Sequence, residues 1–263
     1  VIFAVVVEML DTSIGTIVDV REYIGTQVVG VIPYIDAEQV RESLEKRGLA
    51  TGTEETVARK AQLVYVFDPQ STLAETYRTL RTNIEFATVE KDVKMMMVTS
   101  SSFGEGKSTV IANLAMSIAQ LGKRTLLVDS DLRKPTIARM FGLEREPGLT
   151  EVIIGNNQWQ EVVRTLTDIV TGSMGLEGIL QTQGMSNLHI LPSGSIPPNP
   201  AELLNSKSAS GFIEEVREAY DMVLFDTPPV LQVTDAAILG KKVGVTVVVY
   251  KAGDIPRTSL KRS

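Results

Sequence analysis

Four runs of this chain, 93–99, 125–128, 222–225 and 243–250, are apolar without alternating with polar residues. A strand with one wet face alternates; a strand buried on both faces does not, and that condition is met in parallel sheets covered by helices. Helical spacing fills the intervals. Val110, Ile111, Leu114, Ala115 and Ile118 recur three and four apart before Gly122, and a second pattern covers 209–219. The expected fold class is therefore α/β, a doubly wound, mostly parallel sheet flanked by helices. Ligands in such sheets bind beyond the carboxyl ends of the strands. A chain of 263 residues, 43% hydrophobic, can bury a full core.

The first run leads into Ser101-Ser102-Phe103-Gly104-Glu105-Gly106-Lys107-Ser108, and a helical pattern follows over 109–121. A strand, a tight loop and Gly-Lys-Ser at a helix start form the arrangement that cradles nucleotide phosphates. The usual pattern is G-x-x-x-x-G-K-[ST]; Ser101 stands in place of its first glycine. Gly104 and Gly106 let backbone N–H groups turn towards an anion. Lys107 can reach the β- and γ-phosphates, and the Ser108 hydroxyl can ligate Mg²⁺. Glu105 and Thr109 complete the segment expected to hold the nucleotide. The same letters can form a glycine-rich turn with no ligand, but the neighbouring acids favour a site.

Asp226 ends the run 222–225, where a carboxylate is the usual second anchor for the nucleotide's Mg²⁺. Asp129 and Asp131 end the run 125–128. One of them can hold the metal while the other accepts a proton from an attacking hydroxyl. An Asp in isolation is more often a turn or cap residue. Three at strand ends beside a phosphate loop favour function.

The net charge is −6 and no Lys/Arg cluster is present, so nucleic acid is not an expected partner. The chain has no cysteine, which excludes disulfides and thiol catalysis. Its one histidine, His189, lies in the apolar segment 187–191 and reads as an ordinary strand residue, so zinc is not expected either. The first ten residues are apolar but too few to cross a bilayer, which takes about 20. They form either a buried strand or the cropped end of a transmembrane helix. Residues 28–32 read as a short strand closed by Pro33, and 36–56 as a polar linker with a short helix over 37–47. Ser71 to Val89 is expected to be a helix, with Leu73, Tyr77, Leu80 and Ile84 on one face. Residues 256–262 read as the start of another helix.

Taken together, these residues resemble the bacterial tyrosine kinases of capsule and exopolysaccharide export, from about Ser71 onward. The matching segments are Gly104-Glu105-Gly106-Lys107-Ser108-Thr109, then Leu126 to Pro135, Val223 to Pro229 and Pro197 to Leu204. Phe103 stands where that family often has Pro. The resemblance implies a P-loop NTPase fold shared with MinD- and ParA-like ATPases, and ATP-dependent phosphorylation of tyrosine. It implies that Lys107 binds phosphates, that Ser108, Asp131 and Asp226 serve Mg²⁺, and that Asp129 is the base. It also implies that Glu75, Arg78 and Arg81, an E-x-x-R-x-x-R motif, pack one subunit against the next in a ring. Read without the family, that motif is a solvated helix face with weak pairs.

Residues 10–14 and 29–33 resemble the cytoplasmic end of a polysaccharide co-polymerase, which favours the cropped-helix reading of residues 1–10. The implied organisation is a membrane-proximal region over 1–35, a linker over 36–70 and a kinase domain over 71–263. The expected location is the cytoplasmic face of the bacterial inner membrane, beside the polysaccharide export machinery. The family carries a tyrosine-rich tail that a neighbouring subunit phosphorylates. The six tyrosines here do not cluster, so either that tail lies beyond Ser263, the reading the abrupt end favours, or this member phosphorylates another target. Two other functions share the fold: a MinD- or ParA-like ATPase switch, and an assembly module controlled by nucleotide without kinase activity. The switch proteins carry a further lysine early in the loop, where this chain has Ser102 and Phe103.

Overall fold

The computed structural model describes residues 27–33, 37–46, 57, 61–89, 93–172 and 182–251. Its centre is a five-stranded parallel sheet of β1 (Met95–Ser100), β2 (Thr125–Asp129), β3 (Leu188–Leu191), β4 (Met222–Asp226) and β5 (Thr246–Val249), in the order β3-β2-β4-β1-β5. The helices are α1 (Ala37–Lys46), α2 (Val64–Phe67), α3 (Thr72–Ala87), α4 (Lys107–Ala119), α5 (Ile137–Phe141), α6 (Leu149–Ile153), α7 (Trp159–Val162), α8 (Leu166–Thr171), α9 (Pro200–Asn205), α10 (Lys207–Ala219) and α11 (Asp235–Val243). Among the described residues no helix is long and apolar enough to cross a membrane.

The non-alternating runs have the cause expected of them. Met96, Val98, Leu127 and Leu224 join a core with α2, α3 and α4 on one face of the sheet. Met95, Met97, Leu126, Val128, Val223 and Phe225 join a second core with α6, α10 and α11 on the other. Successive side chains thus enter opposite cores, and every position must be apolar.

Two expectations about strands need correction. The run 243–250 is not a strand buried on both faces. Val243 closes α11, and β5 is an edge strand whose Val248 is 38% exposed. Residues 27–33 form no strand. They lie along α3, where Asn83 Nδ2 donates to the Val29 carbonyl at 2.9 Å and Gly30 passes close to Leu80. Conversely, the segment around His189 is the edge strand β3, and His189 Nδ1 meets the Tyr220 hydroxyl at 2.8 Å. The expectations for residues 1–26 and 252–263 lie outside the described residues.

The segment read as a linker also differs. Its helix is present as α1, but Leu44, Leu63, Val64 and Tyr65 are buried in the core shared with α3 and α4. Asn113, at full burial in α4, holds this segment down. Its Oδ1 accepts from Val64 N at 2.8 Å, and its Nδ2 donates to the Gln62 carbonyl at 2.7 Å and the Thr109 carbonyl at 2.8 Å. A polar-looking stretch of chain becomes part of the domain because one buried amide satisfies its backbone. Asn113→Ala leaves the Val64 N–H and Gln62 carbonyl without that partner. We expect a loss of about 2–4 kcal/mol in unfolding free energy, measured by urea titration; an unchanged midpoint would show the contact to be dispensable.

Candidate functional site

The sheet order makes the site. β4 lies between β1 and β2, and in register Asp226 stands beside Asp129 on one side and Val98 on the other. Thr227 Oγ1 donates to the Val98 carbonyl at 2.9 Å and Thr99 Oγ1 to the Pro228 carbonyl at 2.8 Å, which fastens the carboxyl ends of β1 and β4 together. The loop after β1 emerges there. Gly104 and Gly106 have φ of 82° and 87°, left-handed values that a side chain would strain. Gly106 is the N-cap of α4 and supplies no side-chain acceptor to its first turn. Ser101, in place of the usual glycine, is buried. Glu105 shapes the loop from within: its Oε2 accepts from Ser102 N at 2.6 Å and its Oε1 from Lys251 N at 3.3 Å, just past β5. Thr109 lies in the first turn of α4.

Lys107 is nearly buried, and three carboxylates surround it. Its Nζ donates to Asp131 Oδ2 at 3.0 Å and Ser108 Oγ at 3.2 Å, and lies 3.5 Å from Asp226 Oδ1. Ser108 Oγ donates to Asp226 Oδ2 at 2.6 Å. Asp131 Oδ1 accepts from Arg133 N at 3.3 Å and Lys134 N at 3.0 Å. Asp129 Oδ2 accepts from Thr136 N at 3.1 Å and Ile137 N at 3.0 Å, at the start of α5. The structure therefore brings Lys107, Ser108, Asp129, Asp131 and Asp226 together.

Their electrostatics follow from burial and from the imbalance of charge. Burial lifts the Asp129 carboxyl well above the usual carboxylate range, and the neighbouring Asp226 charge adds to this. Burial also raises Asp226, against the pull of Lys107. Burial alone would lower the Lys107 ammonium, but Asp226 and Asp131 outweigh it and hold the lysine charged. Asp129 Oδ1 and Asp226 Oδ1 are buried without a hydrogen-bond partner. Two orphaned carboxylate oxygens, a hydroxyl and an excess of negative charge suit a hard cation such as Mg²⁺. Among the described residues no three His, Cys, Asp or Glu side chains form a metal cage by themselves. Mg²⁺ ordinarily takes one or two carboxylates and completes its shell with water and phosphate oxygens.

One further residue belongs to this end of the sheet and escaped sequence reasoning. Asp235, fully buried at the start of α11, accepts from Arg133 Nε at 2.9 Å and Nη2 at 3.0 Å. An acid in a helix's first turn usually signals only a favourable dipole, so nothing local marks this partner. It anchors the loop that carries Asp131. The E-x-x-R-x-x-R residues are not brought to the site. Glu75 bonds Arg78, whose Nη2 donates to the Pro69 carbonyl at 2.7 Å, while Arg81 Nη1 donates to the Ser117 carbonyl and hydroxyl of α4. The two arginines thus bond within their own chain, and Glu75 is the exposed member.

A family model described as an AAA domain matches residues 93–251, the segment holding Lys107, Ser108, Asp129, Asp131 and Asp226. Tyrosine-protein kinase YwqD of Bacillus subtilis is 45% identical over 191 residues, 73% of this chain and 73% of that protein. The chain belongs to the bacterial tyrosine-protein kinases. Tyrosine-protein kinase wzc of Salmonella typhi is 35% identical over 228 residues, 86% of this chain but only 28% of that longer protein. The kinase domain of Escherichia coli tyrosine kinase ETK superposes with a TM-score of 0.73 at 28% identity, covering 92% of this chain and 84% of that one.

Because the folded pKa of Asp129 is raised, its contribution favours folding below the ordinary value of about 3.9 and is lost as pH rises through the folded value. Asp129→Asn cannot ionise. Its melting temperature relative to the parent should therefore increase as the pH is raised towards neutrality. A difference that stays flat with pH would contradict the burial assigned to this carboxyl.

Proposed function

We propose that this chain is an ATP-dependent protein tyrosine autokinase that regulates capsular or exopolysaccharide polymerisation and export. The observation that carries this reading is the buried cluster of Lys107, Ser108 and three strand-end carboxylates in a chain 45% identical to a tyrosine-protein kinase. Residues 104–109 hold the nucleotide phosphates, with Lys107 on the β- and γ-oxygens. Ser108 and Asp226 would hold Mg²⁺, with Asp131, whose oxygens already take Lys107 and two backbone N–H groups, supporting the site; the ion would neutralise charge on the phosphates. The tyrosine oxygen forms its bond to the γ-phosphorus as the bond from that phosphorus to the bridging oxygen of ADP breaks. The tyrosine's proton passes to a carboxylate. Asp129, whose raised pKa suits it to take a proton, is the base.

Among the described residues Tyr65, Tyr77 and Tyr220 are buried and Tyr250 is half-buried. We assign the acceptor to a C-terminal tail presented by a neighbouring subunit in a ring, with Glu75, Arg78 and Arg81 at the subunit interface. Residues 1–35 would join this unit to the inner membrane and the polysaccharide machinery, with the kinase at the cytoplasmic face. Because Leu63 to Val66 lie in the core, we start the kinase domain before Ser71.

Lys107→Met should abolish transfer of labelled phosphate from ATP to tyrosine, a loss of at least about 100-fold. Transfer at the parent rate would sink the assignment, and ATP hydrolysis by the parent without phosphotyrosine would favour the switch ATPase. For the ring, Glu75→Ala removes the exposed carboxylate of the motif. Light scattering should then give a smaller species with ATP binding retained; an unchanged mass removes Glu75 from the interface.

A further inference from the structure

Phe103 is 44% exposed on the phosphate loop, between Ser102 and Gly104. An isolated exposed apolar residue needs no explanation, but this ring is held in place. Lys134 Nζ lies 4.1 Å from its centroid, well inside the roughly 6 Å reach of a cation–π contact. The backbone N–H of Lys134 donates to Asp131 Oδ1, and Asp131 Oδ2 accepts from Lys107 Nζ, both at 3.0 Å. The ring is thus linked through two residues to the lysine that serves the β- and γ-phosphates. Lys134 belongs to the loop that follows the proposed base Asp129, so the ring borders the side of the site at which an acceptor would arrive.

We propose that Phe103, steadied by Lys134, is a positioning residue for the acceptor: its exposed ring receives the aromatic ring of the incoming tyrosine. This rests on the kinase reading given above. Aromatic rings prefer edge-to-face or offset contact at centroid separations of about 4.5–7 Å. Lys134 engages the ring without burying it, leaving surface for a second aromatic group. Such a contact selects tyrosine over serine or threonine, whose side chains have no ring to place. It acts before the chemical step and adds no proton acceptor or charge to it.

The test measures phosphorylation of a synthetic Glu/Tyr copolymer by the parent chain and by Phe103→Ala and Phe103→Trp. Phe103→Ala should raise the KM for the copolymer roughly three- to tenfold, the size of one aromatic pair, with the KM for ATP unmoved. Phe103→Trp should restore the parent KM. An unchanged copolymer KM in Phe103→Ala overturns the proposal. So does a parallel rise in the KM for ATP, which would place the ring against the nucleotide base. A parent chain that binds ATP but phosphorylates no tyrosine overturns the kinase reading and this inference with it.

Discussion

The structure turns on one crowded balance of charge: a single buried ammonium, Lys107, faces Asp129, Asp131 and Asp226. Burying carboxylates is costly unless they are paired. Here the pairing is incomplete, and the shortfall is arranged around a phosphate loop. Much of the surrounding architecture keeps that arrangement in place. Backbone N–H groups at the start of α5 hold Asp129, those of Arg133 and Lys134 hold Asp131, and the Ser108 hydroxyl holds Asp226. The Arg133–Asp235 pair then ties the Asp131 loop to α11. A site with surplus negative charge and spare oxygens is ready for a cation, and it sacrifices some stability of the empty protein to be so.

Much of this was legible from the residues. The non-alternating runs gave a parallel sheet because burial on two faces leaves no position for a polar side chain. The glycines, Lys107 and Ser108 gave the loop because few other backbones cradle phosphate. Strand-end acids gave the partners because parallel strands present their carboxyl ends to one crevice. What was not legible depends on distant pairing. The edge position of β5 is set by strand order, and Val243 to Tyr250 is equally apolar either way. The Arg133–Asp235 bond joins residues 102 apart. The apparent linker before Ser71 enters the core through Asn113, and a lone Asn inside an apolar helix announces no partner.

The helix bearing Glu75, Arg78 and Arg81 shows how one motif can have two physical readings. Spacing puts its three residues on a broad face, which suggests a surface. The contacts turn both arginines back onto the subunit, with Arg78 on the Pro69 carbonyl and over the Tyr65 ring, and Arg81 on α4. Arginine does this readily because its long stem packs while its planar head spreads several donors. The same helix therefore packs firmly into the core of its own chain.

The strand order also has a consequence for the order of events when the chain is made. Ser108 and its partner Asp226 are 118 positions apart, and the strand bearing Asp226 inserts between two strands that precede it. A growing chain holds the residues of the phosphate loop long before the central strand that completes the sheet. Until residue 226 has emerged and paired, Ser108 lacks its partner and Lys107 has only the Asp131 side of its carboxylate cluster. Synthesis from the N-terminus thus delays the site's competence until almost the whole domain exists.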